Sequence, residues 1–365
     1  MKTDLVINAA GKYLLPGLIN LHVHINRRHL SRQSGVFRQN APVIENLPDG
    51  QRMLFAMKNA WFELMQGITT LRDLSSVGRT SNLLRDAINT GIIKGPRLIC
   101  CGLGIASTGG HETHRYTGAV QVDGPFEVAK AVRLEIREGA DFIKLMVSGG
   151  LGGMPEHEHP EWTEFTIEEI SAGVQAAHSH KKKVTVHAMG NEPVLNALRG
   201  GVDGIEHGAV LSNETLDIMA DRNVYYIPTM SGITAVADKE AVSGDAKLAA
   251  LIQELVVLPQ RESVRNAYHH GILIGTGSDT LGNVHEELKL MIQCGMSVSD
   301  AIKTATSNAG KILGLGDCLG CIKEGYIADL LLVSDNPLEN IENLKKAELI
   351  LFNGQSVSHE WLCNE

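Results

Sequence analysis

An α/β chain folded as a (β/α)8 TIM-like barrel, with a small β domain built from the two chain ends, is what this sequence predicts, and three observations predict it. From residue 17 onward, short β-rich apolar runs alternate with longer amphipathic ones. Eight such runs occur in strict alternation with helical stretches, the count a closed barrel requires. An open doubly wound sheet, the alternative, would carry a Gly-rich phosphate turn after its first strand. His22-Val23-His24 occupies that place here.

In chain order the strands read as Leu18–His24, Ile68–Asp73, Pro96–Cys101, Phe142–Val147, Val184–His187, Gly204–His207, Val224–Pro228 and Ile272–Thr276. Helical periodicity runs through Gly50–Met65, Ser81–Thr90, Pro125–Glu138, Thr166–His180, Glu192–Leu198, Asn213–Asp221 and Lys247–His270. Thr166, followed three residues later by Glu169, is a capping box that marks a helix start. After residue 310 the texture changes. Gly325–Val333 and Leu349–Gly354 are strand-like, with turn residues between them, and Asp4–Asn8 would add an N-terminal strand. The domain reading is therefore a barrel at residues 17–318, flanked by a small β domain contributed by residues 1–16 and 319–365. There is no internal repeat and no low-complexity segment.

At 365 residues the barrel fits as one domain with an appendage. A formal net charge of -9 and the lack of a basic stripe argue against nucleic acid. The one basic run, Lys181-Lys182-Lys183, falls between a helix and a strand and reads as a solvated turn. The six cysteines are scattered, which is no disulfide framework, and Cys318-Leu319-Gly320-Cys321 is a lone CxxC read as a loop. No apolar run approaches the roughly 20 residues needed to cross a bilayer. The N-terminus lacks the charged region, apolar core and cleavage site of a leader, so the expectation is a soluble cytoplasmic protein with no membrane partner.

Barrel enzymes keep their chemistry at the C-terminal ends of their strands. The first strand ends in His22 and His24; side chains at i and i+2 share a face, so two imidazoles stand side by side. Lys144 lies on the fourth strand, His187 and His207 close the fifth and sixth, and Asp279 follows the eighth. Each has an ordinary explanation: a lysine that snorkels, a hydrogen-bonded core histidine, an aspartate capping a helix. The recurrence at successive strand ends of one barrel points instead to a metal site. On the seventh strand, Tyr225 or Tyr226 would face the same pocket, since alternation aims one of them inward.

The run Leu15-Pro16-Gly17-Leu18-Ile19-Asn20-Leu21-His22-Val23-His24 resembles the signature entry strand of the metal-dependent amidohydrolase superfamily. The resemblance continues to about residue 356, where Gly325-Tyr326-Ile327-Ala328-Asp329-Leu330 is similar to the family's return into its small β domain. Thr108-Gly109-Gly110-His111 and the fourth-strand lysine resemble the prolidase-like branch, which contains binuclear zinc dipeptidases acting on Xaa-Pro and related peptides.

That resemblance implies two divalent metal ions, zinc among the candidates. His22, His24 and Asp279 would hold the more buried one, and His187 and His207 the more exposed one. Lys144 would bridge them after carboxylation by CO2, because an ammonium is a cation and cannot ligate, whereas a carbamate is an anion with two oxygens. A hydroxide shared by the ions would attack the amide, with Asp279 moving the proton to the leaving amine. His111 would meet the substrate carbonyl or carboxylate, helped by backbone N–H groups of its Gly-rich loop. Tyr225 fits the family's pattern better than Tyr226.

The expected activity is cleavage of an amide bond in a dipeptide or N-acyl amino acid. Cyclic-amide hydrolysis of the dihydroorotase or hydantoinase type is the alternative. Ring deamination fits less well, since one-metal deaminases lack the fourth-strand lysine and place a glutamate soon after the fifth-strand histidine; Glu192 lies five residues on. A non-catalytic scaffold would show a broken ligand set, and none is broken here. Met154–Trp162, with His157 and His159, reads as a lid. His111-Glu112-Thr113-His114 is one residue short of a helical zinc motif. Family members carry more N-terminal strands than this sequence does, so the small domain is expected to be reduced, with an open edge that invites a homo-oligomer.

Overall fold

The computed structural model describes residues 6–27, 47–113 and 118–358. Its strands are β1 (Tyr13–Pro16), β2 (Leu18–Val23), β3 (Ile68–Asp73), β4 (Arg97–Cys100), β5 (Gly104–Ala106), β6 (Ala119–Gln121), β7 (Ile143–Met146), β8 (Val184–Ala188), β9 (Gly204–His207), β10 (Tyr225–Ile227), β11 (Leu330–Val333), β12 (Ala347–Phe352) and β13 (Gln355–Ser356). The helices are α1 (Asp49–Leu64), α2 (Thr80–Asn89), α3 (Pro125–Arg137), α4 (Ile167–His178), α5 (Asn191–Gly200), α6 (Asn213–Asp221), α7 (Met230–Ser243), α8 (Ala246–Ile252), α9 (Leu258–His269), α10 (Val284–Gln293), α11 (Val298–Thr304) and α12 (Ser307–Leu313).

This is a mixed α/β fold with parallel sheet. One parallel sheet has the order β10-β9-β8-β7-β5-β6 and a second has the order β2-β3-β4. Every residue of β2, β3, β7, β8, β9 and β10 is buried, as expected of strands covered on both faces. Alternation divides them: Leu18, Leu71, Leu145, Val186 and Ile205 join the large core, while Ile19, Leu21, Tyr225 and Ile227 pack together in a separate cluster.

Seven of the eight expected strands are present as β2, β3, β4, β7, β8, β9 and β10. The eighth, Ile272–Thr276, holds only an isolated bridge from Ile274 to Tyr226. Backbone bonds still tie it to both neighbours: Leu21 N–H donates to Thr276 O at 2.8 Å, and Tyr226 N–H to Leu273 O at 3.0 Å. The third strand is broken. β4 pairs with β3, whereas β5 pairs with β7. Between them Gly102 takes φ +77°, and a Cβ there would come within 2.4 Å of the Glu135 carboxylate, so the break requires glycine. Across it, Asp141 N–H donates to Cys100 O at 2.8 Å.

Thr166 and Glu169 form the expected capping box at the start of α4. The stretch Lys247–His270 is not one helix but α8 and α9 joined through a π-helical turn at Gln253–Val257, and α7 before it was not expected. The chain ends do meet in one antiparallel sheet, β1-β11-β12-β13. Its N-terminal strand is Tyr13–Pro16 rather than Asp4–Asn8: Val6–Asn8 form no strand, and Asp4 and Leu5 lie outside the described residues. Among the described residues no helix is long and apolar enough to cross a membrane.

Candidate metal centre and active site

The strand ends open into a cavity of about 310 Å³ lined by His22, His24, Lys144, His187, His207 and Asp279. The structure thus brings together all six residues the sequence singled out as ligands. Successive imidazoles are close neighbours: ring centroids lie 5.4 Å apart for His24 and His22, 5.0 Å for His22 and His207, and 4.5 Å for His207 and His187. One ligand-type atom from each of His22, His207 and Asp279 lies within 4.8 Å of the other two, and His24 Nε2 is 3.6 Å from Asp279 Oδ1.

Whether these residues suit a metal is decided by what their other atoms do. His22 Nδ1 lies 2.8 Å from Glu206 Oε2, while its Nε2 is buried with no partner. His24 Nδ1 lies 3.1 Å from Ser75 O, and His187 Nε2 lies 3.2 Å from Gly149 O. The Thr229 hydroxyl donates to Pro228 O, leaving its oxygen to accept from His207 Nδ1 at 2.7 Å. Each ring therefore fixes one N–H on an acceptor and keeps a lone pair on its second nitrogen, the arrangement of metal-ligating histidines. Burial, the largest influence on each, also holds them neutral: His22 is lowered to about 4, and His24, His187 and His207 are lowered too. Neutral imidazole is the form that binds metal. The donor set fits.

Lys144 is buried among these rings and makes no hydrogen bond or ion pair among the described residues. Burial, its largest influence, lowers its pKa, which favours the neutral amine. On Asp279, burial acts to raise the pKa, but His22, His24 and His207 outweigh it and hold the group below the ordinary carboxylate range. The backbone at Asp279, His207 and Thr229 has positive φ, 55°, 73° and 55°. Such conformations strain non-glycine residues by about 1–3 kcal/mol each and cluster at functional sites. Gly232, in the first turn of α7, lies against Asp279: a Cβ there would come within 2.7 Å of the Asp279 Cβ.

His111 also lines the cavity, and its ring stacks on His187 at 3.9 Å. Its Nδ1 is 2.6 Å from Glu158 Oε2; burial lowers its pKa, but that carboxylate outweighs burial and raises it. The expected anion cradle in its loop is absent. The N–H groups of Thr108, Gly109, Gly110 and His111 donate to Asp123, Gln121, Ser107 O and Glu164. Side chains on the cavity wall could still meet an anion: His111, Arg27, which is ion-paired with Glu112, and Lys239. The segment at 154–162 does border the cavity, but through Glu158 rather than His157 or His159. Glu158 also accepts from Gly150 N–H at 2.7 Å. His114 lies outside the described residues.

Tyr225 is not brought to the cavity. It opens β10 opposite Gly204, away from the strand end, and its hydroxyl accepts from Arg72 at 3.1 Å. Alternation aims it inward, but one layer below the ligands. Tyr226 instead donates to His207 O and Gly208 O.

Sequence reading missed the layer beneath the candidate ligands. Arg72 pairs with Glu206, whose other oxygen meets His22, and Thr185 donates to Glu206 at 2.5 Å. All four side chains are buried. Burial acts to raise the Glu206 pKa, but Arg72 and His22 outweigh it and keep the carboxylate ionised. A glutamate and an arginine inside apolar strands were the available signal.

The amidohydrolase family profile matches residues 13–357. Ochratoxinase from Aspergillus niger is 29% identical over 381 residues, covering 95% of this chain and 74% of that protein. A solved Xaa-Pro dipeptidase with methionine bound in its active site is 32% identical at a TM-score of 0.85, covering 95% of this chain and 87% of its own. A prolidase solved with N-methylphosphonate-L-proline is 27% identical at a TM-score of 0.86, covering 98% and 91%.

Proposed function

Since the chain belongs to the amidohydrolase family, a group of hydrolytic enzymes, we propose that it is a binuclear metal hydrolase cleaving the amide bond of a dipeptide, Xaa-Pro or similar, or of an N-acyl amino acid. One observation carries this reading: four neutral imidazoles, each with one nitrogen fixed on the protein, converge with Asp279 around a buried, unpartnered Lys144. A dipeptidase, a prolidase and ochratoxinase among the relatives support the amide as the bond cut. The two parallel sheets are read as the wall of one closed barrel at 17–318, joined through the Leu273–Thr276 and Asp141 hydrogen bonds, with the terminal sheet as a separate small domain. Among the described residues Cys100, Cys101, Cys294, Cys318 and Cys321 are free, the first three of them buried, which suits a cytoplasmic setting.

In this reading His22, His24, His187, His207 and Asp279 hold two divalent ions, zinc being the first candidate. Bound there, the ions supply Lewis acidity that activates water and polarises the scissile carbonyl. Lys144, as the neutral amine, would react with CO2, forming an N–C bond and losing a proton, and the resulting carbamate would be an anion able to act as a ligand. Asp279 accepts the proton of the attacking water and passes it to the departing nitrogen. Glu206, fixed by Arg72, holds His22 with its Nδ1 protonated and Nε2 free. His111, held by Glu158, faces the substrate's carbonyl or carboxylate.

A panel of dipeptides, N-acyl amino acids and cyclic imides tests this. Turnover of free-acid dipeptides or N-acyl amino acids is expected. A preference for cyclic imides would move the assignment to ring hydrolysis, and inactivity toward all amides would overturn it.

A further inference from the structure

The lining of the cavity divides by chemistry. His111 and Glu112 come from the loop after β5, and Arg27 from the loop after β2. Ile233 and Val236 come from α7, which follows β10, and Met189, Leu151 and Leu281 continue the same apolar surface. In the six-stranded sheet, β5 and β10 flank β7, β8 and β9, which carry Lys144, His187 and His207. Within that sheet, the loop carrying His111 and Glu112 and the helix carrying Ile233 and Val236 are therefore separated by the strands of Lys144, His187 and His207.

Resting on the amide-hydrolase reading, we infer that this cavity selects substrates with a bulky apolar group on the acyl side of the scissile bond, and that Ile233 and Val236 set that preference. A substrate whose carboxylate end turns toward His111 and Arg27 lays its acyl arm toward α7, with the amide between. The apolar wall is packed from behind. Ile233 and Met189 belong to a buried cluster with Met154, Ala209, Ile252 and Val257, against which Val236 and Leu151 pack while still lining the cavity. Ile233 and Val236 are three apart and so share a helix face. One turn further, Lys239 and Glu240 pair at 3.1 Å, marking where that wall reaches solvent. Acetyl or glycyl substrates would leave it in contact with water.

The test is a series of N-acetyl, N-butanoyl, N-hexanoyl and N-octanoyl derivatives of the amino acid released fastest in the dipeptide panel. With the wild-type enzyme, kcat/KM should rise roughly threefold to fourfold per methylene until the wall is covered. In Val236→Ser and in Ile233→Ser the hexanoyl-to-acetyl ratio should fall roughly fivefold to tenfold, and Val236→Phe should move the optimum to a shorter chain. Measurable turnover with no dependence on acyl length, or ratios unchanged in all three variants, overturns the apolar-arm inference alone. No turnover of any amide overturns both this inference and the reading beneath it.

Discussion

At the scale of single residues, the site was legible where chemistry and position coincide in the chain. His22, His24, His187, His207 and Asp279 sit at or just past apolar strand ends, Lys144 lies within β7, and the fold gathers all six. Their supports were not legible. Glu206 meets His22 across 184 positions, and Glu158 meets His111 across 47, separations to which local spacing is blind. Asp279→Asn should fold normally yet lose roughly 100- to 10 000-fold in kcat, the range attached to a positioned acid–base group; steady-state kinetics with a matched circular dichroism spectrum checks this, and near-normal turnover would remove Asp279 from that role. Lys144→Ala should lose at least one equivalent of metal, with partial rescue by a short carboxylic acid that supplies another bridging anion. Arg72→Met leaves Glu206 as a buried unpaired charge and should destabilise the fold by about 3–5 kcal/mol. Adding Glu206→Gln should recover much of that loss in urea melts, and no recovery would show that the two residues do not act as a pair.

At the scale of elements, continuous apolar strands announced themselves, and broken ones did not. The third strand was read as ending at Cys101, and the three-residue β5, beyond the turn at Gly102, was not anticipated. β6, three residues long, is too short to show a period. α7 was missed because its buried positions do not fall in one clean stripe, and it lines the cavity beside Asp279. Gly232→Ala on that helix should push Asp279 out of place, lowering metal affinity more than thermal stability; equal effects on both would point to general disruption. α10 carries a second measurable feature. His285 is buried, faces Lys345 and Glu342 of the turn Ile341–Lys345, and is lowered to about 4, chiefly by burial. The unfolded chain, with histidine near 6.5, therefore binds more protons between pH 6.5 and 4, so this residue contributes stability above pH 6.5 that is lost as the pH falls toward 4. The loss is at most about 3 kcal/mol. His285→Asn should flatten that part of the stability curve in urea titrations at stepped pH, and an unchanged slope would refute the assignment.

For the whole molecule, the alternation of strands and helices was readable because β2, β3, β7, β8, β9 and β10 are buried on both faces while the helices between them are buried on one. The join between the two parallel sheets was less so, since residues 272–276 make strand-like hydrogen bonds without a strand's regular pairing. β1 lies at one edge of the terminal sheet with Tyr13 and Leu14 exposed, which keeps self-association through that edge as our proposal. Metal occupancy is the decisive quantity, because the four imidazoles, Asp279 and Lys144 line one cavity. Elemental analysis of protein produced with ample zinc and bicarbonate should approach two equivalents of divalent metal per chain. One equivalent or none, unchanged by added metal, would contradict the binuclear centre.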